Sequence, residues 1–157
     1  MELNIGIKPE FLAKVAHSLS KIMADEFVLY TKTLRAHWCV TGPDFHSKHL
    51  YFEGLYEDMA DICDDIAERI RTIGHFPPAS LREFLDLTHL SEDALPENNG
   101  IAHIKALLQD HESIIIHYRE HINGYADALH DLGSSDYITG LMEKHEKIAW
   151  MLRSHLE

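Results

Sequence analysis

His49, Glu53, Asp64 and Glu68 stand at spacings that place them on one side of a helix. His49 and Glu53 are four residues apart, as are Asp64 and Glu68, so each pair is stacked one turn above the other. Glu53 and Asp64 are eleven apart, near a whole number of turns, which keeps all four in a stripe about 100° wide. Imidazole nitrogens and carboxylate oxygens without sulfur suit Fe(II), and equally Zn(II) or Mn(II). One helix cannot gather them round one ion. Eleven residues rise about 16 Å, whereas metal–ligand bonds are about 2 Å long. The pairs His49/Glu68 and Glu53/Asp64 are, however, symmetric about the same point, between Asp58 and Met59. Crossed there by an antiparallel copy of itself, the helix would set His49 against Glu68 of the second chain and Glu53 against its Asp64. A two-fold interface of this kind makes two identical sites. His37, at the end of the preceding helix, can reach the same place as a further ligand. Three carboxylates gathered at an interface repel one another unless a cation lies between them. The competing reading is a solvated helix face, where charged pairs at this spacing are common.

The elements that must position these residues are helical throughout. Pro9 suits a first helical position. After it Leu12, Val15, Leu19, Ile22 and Met23 step by threes and fours, and the pattern runs on to Leu34. Asp44 is placed to cap a second helix that Gly74 stops. Ser80-Leu81-Arg82-Glu83 reads as a capping box opening a short helix. Ile101, Ile104, Leu108, His111, Ile115, Tyr118, Ile122, Tyr125 and Leu129 form the stripe of a third long helix. Ile138, Leu141, His145, Ile148 and Leu152 form that of a fourth. Breaks fall at Thr41-Gly42-Pro43-Asp44, at Gly74 to Pro78, at Leu95 to Gly100 and at Gly133 to Asp136. The expectation is an all-α four-helix bundle, with a short helix in a long crossover that lets the second and third long helices run parallel.

The chain of 157 residues is expected to be one domain, spanning 1–157, and 45% hydrophobic residues suffice for a real core. No apolar run is long enough to span a bilayer, and Met1 to Lys8 does not read as a signal peptide. Two cysteines, Cys39 and Cys63, make no disulfide framework, so a reduced cytoplasmic setting is expected. A formal charge of −12 repels phosphate backbones and favours cations. Thirteen histidines offer many nitrogen donors.

Several stretches together carry a family resemblance. These are His37-Trp38-Cys39-Val40-Thr41-Gly42-Pro43, then His49, then Asp64-Asp65-Ile66-Ala67-Glu68-Arg69-Ile70-Arg71, and finally His145 to Arg153. The chain resembles the Dps proteins, the mini-ferritins of the ferritin-like superfamily, over nearly its whole length. The resemblance implies a hollow homododecamer with tetrahedral symmetry, built from two-fold dimers. It implies a ferroxidase that oxidises Fe(II), usually with hydrogen peroxide, stores the ferric product inside and protects against oxidative damage. Carried over residue by residue, the iron ligands are His37, His49 and Glu53 from one chain, with Asp64 and Glu68 from its two-fold partner. Zinc or manganese could substitute for iron. Glu53 stands where aspartate is common, one methylene longer, and Cys39 where asparagine is frequent. The Glu-x-x-His motif of full-size ferritins is absent from the sequence, which argues against a site inside a single bundle.

Other residues carry two readings each. Trp38 and Trp150 would sit near the iron in the family geometry and intercept stray oxidising equivalents, or they pack in the core. Asp127, Asp131 and Asp136 would line cation-attracting three-fold pores, or they are solvated helix ends, Asp136 being favourable near a helix N-terminus. His117 and His121, with His103 on the same face, could form a second zinc-type site. No carboxylate partner is evident there, which favours solvated histidines. His111 and His145 fall in apolar stripes and read as core histidines whose hydrogen bonds are satisfied. Cys39 is expected to be buried and inert, although a thiol beside an oxidation site is open to oxidation. Some Dps proteins compact DNA, often through a lysine-rich tail. Here the first ten residues hold one lysine, Lys8, against Glu2 and Glu10, so DNA binding should be weak or absent.

Overall fold

A computed structural model describes residues 3–93 and 97–157. The helices are α1 (Pro9–Cys39), α2 (Phe45–Thr72), α3 (Leu81–Leu87), α4 (Gly100–Asp127) and α5 (Leu132–Ser154). Among the described residues there is no strand, only an isolated bridge between Thr41 and Asn99. The expected bundle is present, with α3 as the short helix of the crossover. The break expected at Leu95-Pro96 lies partly outside the described residues.

Pro9 opens α1 as anticipated, and the helix runs past Leu34 to Cys39, about 46 Å at 1.5 Å per residue. His37 therefore stands on its last turn. α1 and α2 form one hairpin, α4 and α5 another, and α3 lies on α1. Thr41, just ahead of α2, donates its N–H to Asn98 O at 2.9 Å, just ahead of α4. Both helices thus start at the same end of the bundle, and the crossover makes them parallel. Asn99 caps α4 by accepting the Ala102 N–H at 2.9 Å. Gly100 is the first residue of α4 rather than a break. A Cβ there would meet Lys48 Cδ at 2.2 Å, so the bare backbone is what admits the buried lysine stem.

The end of α2 is a Schellman turn. The Gly74 N–H reaches Arg71 O and the His75 N–H reaches Ile70 O, with Gly74 at φ +87°. The capping box at α3 is also present: the Glu83 N–H reaches Ser80 Oγ, and the Glu83 carboxylate accepts from the Ser80 hydroxyl and the Ala79 N–H. Asp44 occupies the N-cap position of α2 but makes no cap bond. Its carboxylate is taken by Lys48, whose ammonium is nearly buried and has the stronger claim on a counter-charge.

The apolar faces of the helices converge on one core, from Leu12, Leu19 and Ile22 on α1 to Ile138, Leu141 and Leu152 on α5. A polar chain crosses it. Tyr118 donates to Glu26 Oε1 at 2.5 Å, His145 Nε2 lies 2.8 Å from the same oxygen without a well-aligned N–H, and His145 Nδ1 meets His111 Nδ1 at 2.8 Å. His111 and His145 lie in the core, as expected, but His145 Nε2 is not satisfied by a hydrogen bond as the expectation had it. Burial, then the neighbouring His145, holds His111 well below the usual histidine range.

Candidate metal centre

His37, on the last turn of α1, and His49, on the first turns of α2, face each other across the short loop. Their rings stack with centroids 3.8 Å apart and planes 20° from parallel. His37 Nδ1 lies 2.9 Å from His49 O, and His49 Nδ1 lies 2.9 Å from His37 O. A carbonyl oxygen only accepts, so both Nδ1 atoms carry the hydrogen. In the neutral rings both Nε2 lone pairs are then free for a metal, with the orientation of each ring fixed by its other nitrogen.

Glu53 follows one turn after His49 and is half-exposed. Tyr56, one turn further, sets its ring edge-on to His37 at 5.2 Å. Partial desolvation, then the nearby Glu53 and Glu57 carboxylates, raises the Tyr56 phenol above its ordinary range. Tyr30 meets Tyr56 edge-on at 6.4 Å, and Phe45 stacks on His49 at 5.1 Å. This aromatic collar was not anticipated, although the signal was there: Tyr56 is seven residues after His49, hence on the same helix face.

Asp64 and Glu68 are exposed, farther along α2. Within one chain no three of His37, His49, Glu53, Asp64 and Glu68 bring ligand atoms within 4.8 Å of one another. A chain by itself therefore holds the two histidines as a prepared half and leaves the two later carboxylates open.

Trp38 is 70% exposed and Trp150 61% exposed, so neither packs in the core of the chain. Cys39 is half-buried rather than buried; Cys63 is the buried thiol, and burial pushes it up to about 12. Asp127 and Asp136 are exposed at the α4–α5 turn. Asp131 is neither solvated nor open to a channel. At 2% exposure it is the N-cap of α5, accepting the Ser134 N–H at 2.9 Å, the Ser134 hydroxyl at 2.7 Å and Arg69 Nη2 at 3.1 Å. His103 does not join His117 and His121: it is buried, faces Phe52, and burial holds it below the usual range. His117 and His121 are not simply solvated either. They adjoin Glu120, and His117 adjoins Asp25 and His89 from elsewhere in the chain.

The family model described as a ferritin-like domain matches residues 16–157. A low temperature-induced protein of Nostoc sp. is 42% identical over 155 residues, covering 99% of this chain and 87% of its own. DNA protection during starvation protein 2 of Bacillus anthracis is 37% identical over 144 residues, covering 91% and 97%. The chain belongs to the Dps family. The crystal structure of a Dps protein from Vibrio cholerae O1, described as a member of the ferritin-like diiron-carboxylate proteins, superimposes with a TM-score of 0.91. It is 26% identical and covers 100% of this chain and 98% of that one. The donors of this Dps chain, imidazole nitrogen and carboxylate oxygen without thiolate, fit the iron that family membership implies. Among the described residues no helix is long and apolar enough to cross a membrane.

Proposed function

We propose that this Dps protein is a ferroxidase and iron store, working at a site completed by a second copy of the chain. The observation that carries the reading is the reciprocal His37–His49 pair, which presents two free Nε2 lone pairs beside Glu53. Asp64 and Glu68 of the two-fold partner would complete the donor set, since they are exposed and lie at the symmetric positions of the same helix. Fe(II) is the substrate: hydrogen peroxide takes one electron from each of two Fe(II) ions and, with two protons, leaves as two waters. His37 and His49 hold the metal as neutral donors, and the carboxylates offset the charge gained on oxidation. Zn(II) or Mn(II) would compete for the same donors. Tyr56, edge-on to His37, and the exposed Trp38 and Trp150 would give up an electron to a stray radical. A dodecameric cage in the cytoplasm would keep the ferric product apart, with Asp127 and Asp136 drawing cations to its pores.

Anaerobic Fe(II) titration followed by peroxide tests this. The wild type should oxidise the iron rapidly, while the Asp64→Ala, Glu68→Ala double variant should lose the fast phase and keep its fold. Equal rates in the two proteins would overturn the site. DNA compaction is the second reading, because relatives are named for DNA protection. With a formal charge of −12 it should be weak. A gel shift at physiological salt, lost at higher salt, would revive it.

A further inference from the structure

A second group of donors lies away from the two-fold site and within one chain. Asp25 on α1 is 1% exposed. Its Oδ1 accepts the Thr88 hydroxyl at 2.7 Å and the His89 N–H at 2.8 Å. Its Oδ2 faces His89 Nδ1 at 2.7 Å, so that nitrogen donates. A neutral His89 then accepts the Ser113 hydroxyl at Nε2, 3.0 Å away, so a metal would take that lone pair by displacing the hydroxyl. His89 stacks on His117 at 4.8 Å between ring centroids, and His117 on His121 at 4.4 Å. His121 Nδ1 donates to His117 O at 2.8 Å, which leaves the lone pair of its Nε2 for a metal. Three imidazoles, from the crossover and from two successive turns of α4, thus stand in a row. Two of them are fixed in the tautomer a metal requires.

Two overlapping sets of ligand atoms lie within 4.8 Å of one another: Asp25, His89 and His117, and His117, Glu120 and His121. His117 belongs to both. Ligand atoms around tetrahedral zinc stand about 3.3 Å apart, given bonds of about 2.0 Å. Within each set closure asks for a movement of at most roughly 1.5 Å. Glu120 and His121, which share only His117 with the first set, must swing further to meet His89, and both side chains are exposed. Asp25 already has both oxygens engaged, so its place is behind His89, in the carboxylate–histidine–metal arrangement that fixes a ring and raises its basicity. The bland account, a hydrogen bond tying the crossover to α1, explains Asp25 and His89. It does not explain two further imidazoles and a carboxylate gathered beside them.

We propose that His89, His117 and His121, with the Glu120 carboxylate, form a zinc-class divalent-cation site in each chain, and that Asp25 is its positioning residue. The set is richer in nitrogen than the two-fold site and needs no partner chain. It therefore favours Zn(II) or Co(II) over the hard, oxygen-seeking cations.

The test uses the assembled, chelator-stripped protein carrying His37→Ala, His49→Leu, Asp64→Ala and Glu68→Ala, so that the outcome is independent of the ferroxidase reading. Co(II) titration should show about one ion per chain, with the visible bands of a tetrahedral nitrogen-rich site. Adding His121→Ala, an exposed position that leaves the fold intact, should abolish those bands and weaken binding at least tenfold. Asp25→Asn should weaken it about 10- to 100-fold, as loss of an outer hydrogen-bond partner does. Zn(II) should raise the thermal midpoint of the parent and not that of the His121→Ala protein. Absence of the bands in the parent, or unchanged Co(II) affinity and stoichiometry in both His121→Ala and His117→Gln proteins, would overturn the proposal.

Discussion

Replacing Asp131 separates a helix cap from a pore. Its carboxylate satisfies the Ser134 N–H and hydroxyl and pairs with Arg69, whose side chain also bonds Ser134 Oγ at 3.0 Å. Asp131→Ala loses a cap, about 1 kcal/mol, and strands a fully buried Ser134 N–H. It also loses a charged hydrogen bond, discounted to about 1 kcal/mol because Arg69 keeps 27% of its side-chain exposure. The sum is about 2–3 kcal/mol. For a chain of this length that is a drop in Tm of roughly 4–12 °C. Asp131→Asn keeps an acceptor for the cap and should lose only about 1 kcal/mol. Thermal unfolding followed by far-UV circular dichroism, at one protein concentration throughout, measures both. Iron entry, read from ferric absorbance after Fe(II) and peroxide, should slow in an Asp127→Asn, Asp136→Asn protein and not in Asp131→Asn. An Asp131→Ala protein as stable as wild type but slow to take up iron would refute the cap and restore the pore.

Three further outcomes are expected. His49→Leu should abolish rapid Fe(II) oxidation and cost about 1–2 kcal/mol, through one hydrogen bond and the stacking on His37; denaturant titration checks the second figure. Stability should fall as pH drops below about 6.5, because the unfolded chain then takes up a proton that buried His111 refuses. The slope from this group is at most about 1.4 kcal/mol per pH unit, and His111→Gln should flatten the Tm-against-pH curve over that range. Gly74→Ala should cost about 1 kcal/mol in a melt, since φ is +87° and the new Cβ would press on Leu3 Cδ2 at 3.0 Å.

The sequence disclosed what is local or periodic. The helical stripes, the Schellman glycine at Gly74 and the capping box at Ser80 depend on neighbours within a few residues, and each appears in the fold. The symmetric spacing along α2 was legible for the same reason, being a property of one helix. What escaped was contact between distant segments. Asp25, His89 and His117 come from α1, the crossover and α4, and no periodicity joins them; Glu120, three residues after His117 on the same helix, was legible as a carboxylate partner, whereas Asp25 was not. Asp131 read as an exposed helix end because nothing in the turn reveals Arg69 arriving from α2. Trp38 and Trp150 look like core residues by type, and only the fold places them outside.

The reciprocal bonds between His37 and His49 have a consequence for engineering. Each ring is held by the other residue's backbone, so the two donors are one mechanical unit whose hinge is the loop from 40 to 44. Gly42, at φ +126°, sets the course of that hinge. A side chain there would touch no ligand, yet it would shift both carbonyls together and disarm both imidazoles at once. Histidine substitutions at the pair should for the same reason be far from additive. Metal affinity at this site is thus a property of backbone path as much as of donor identity.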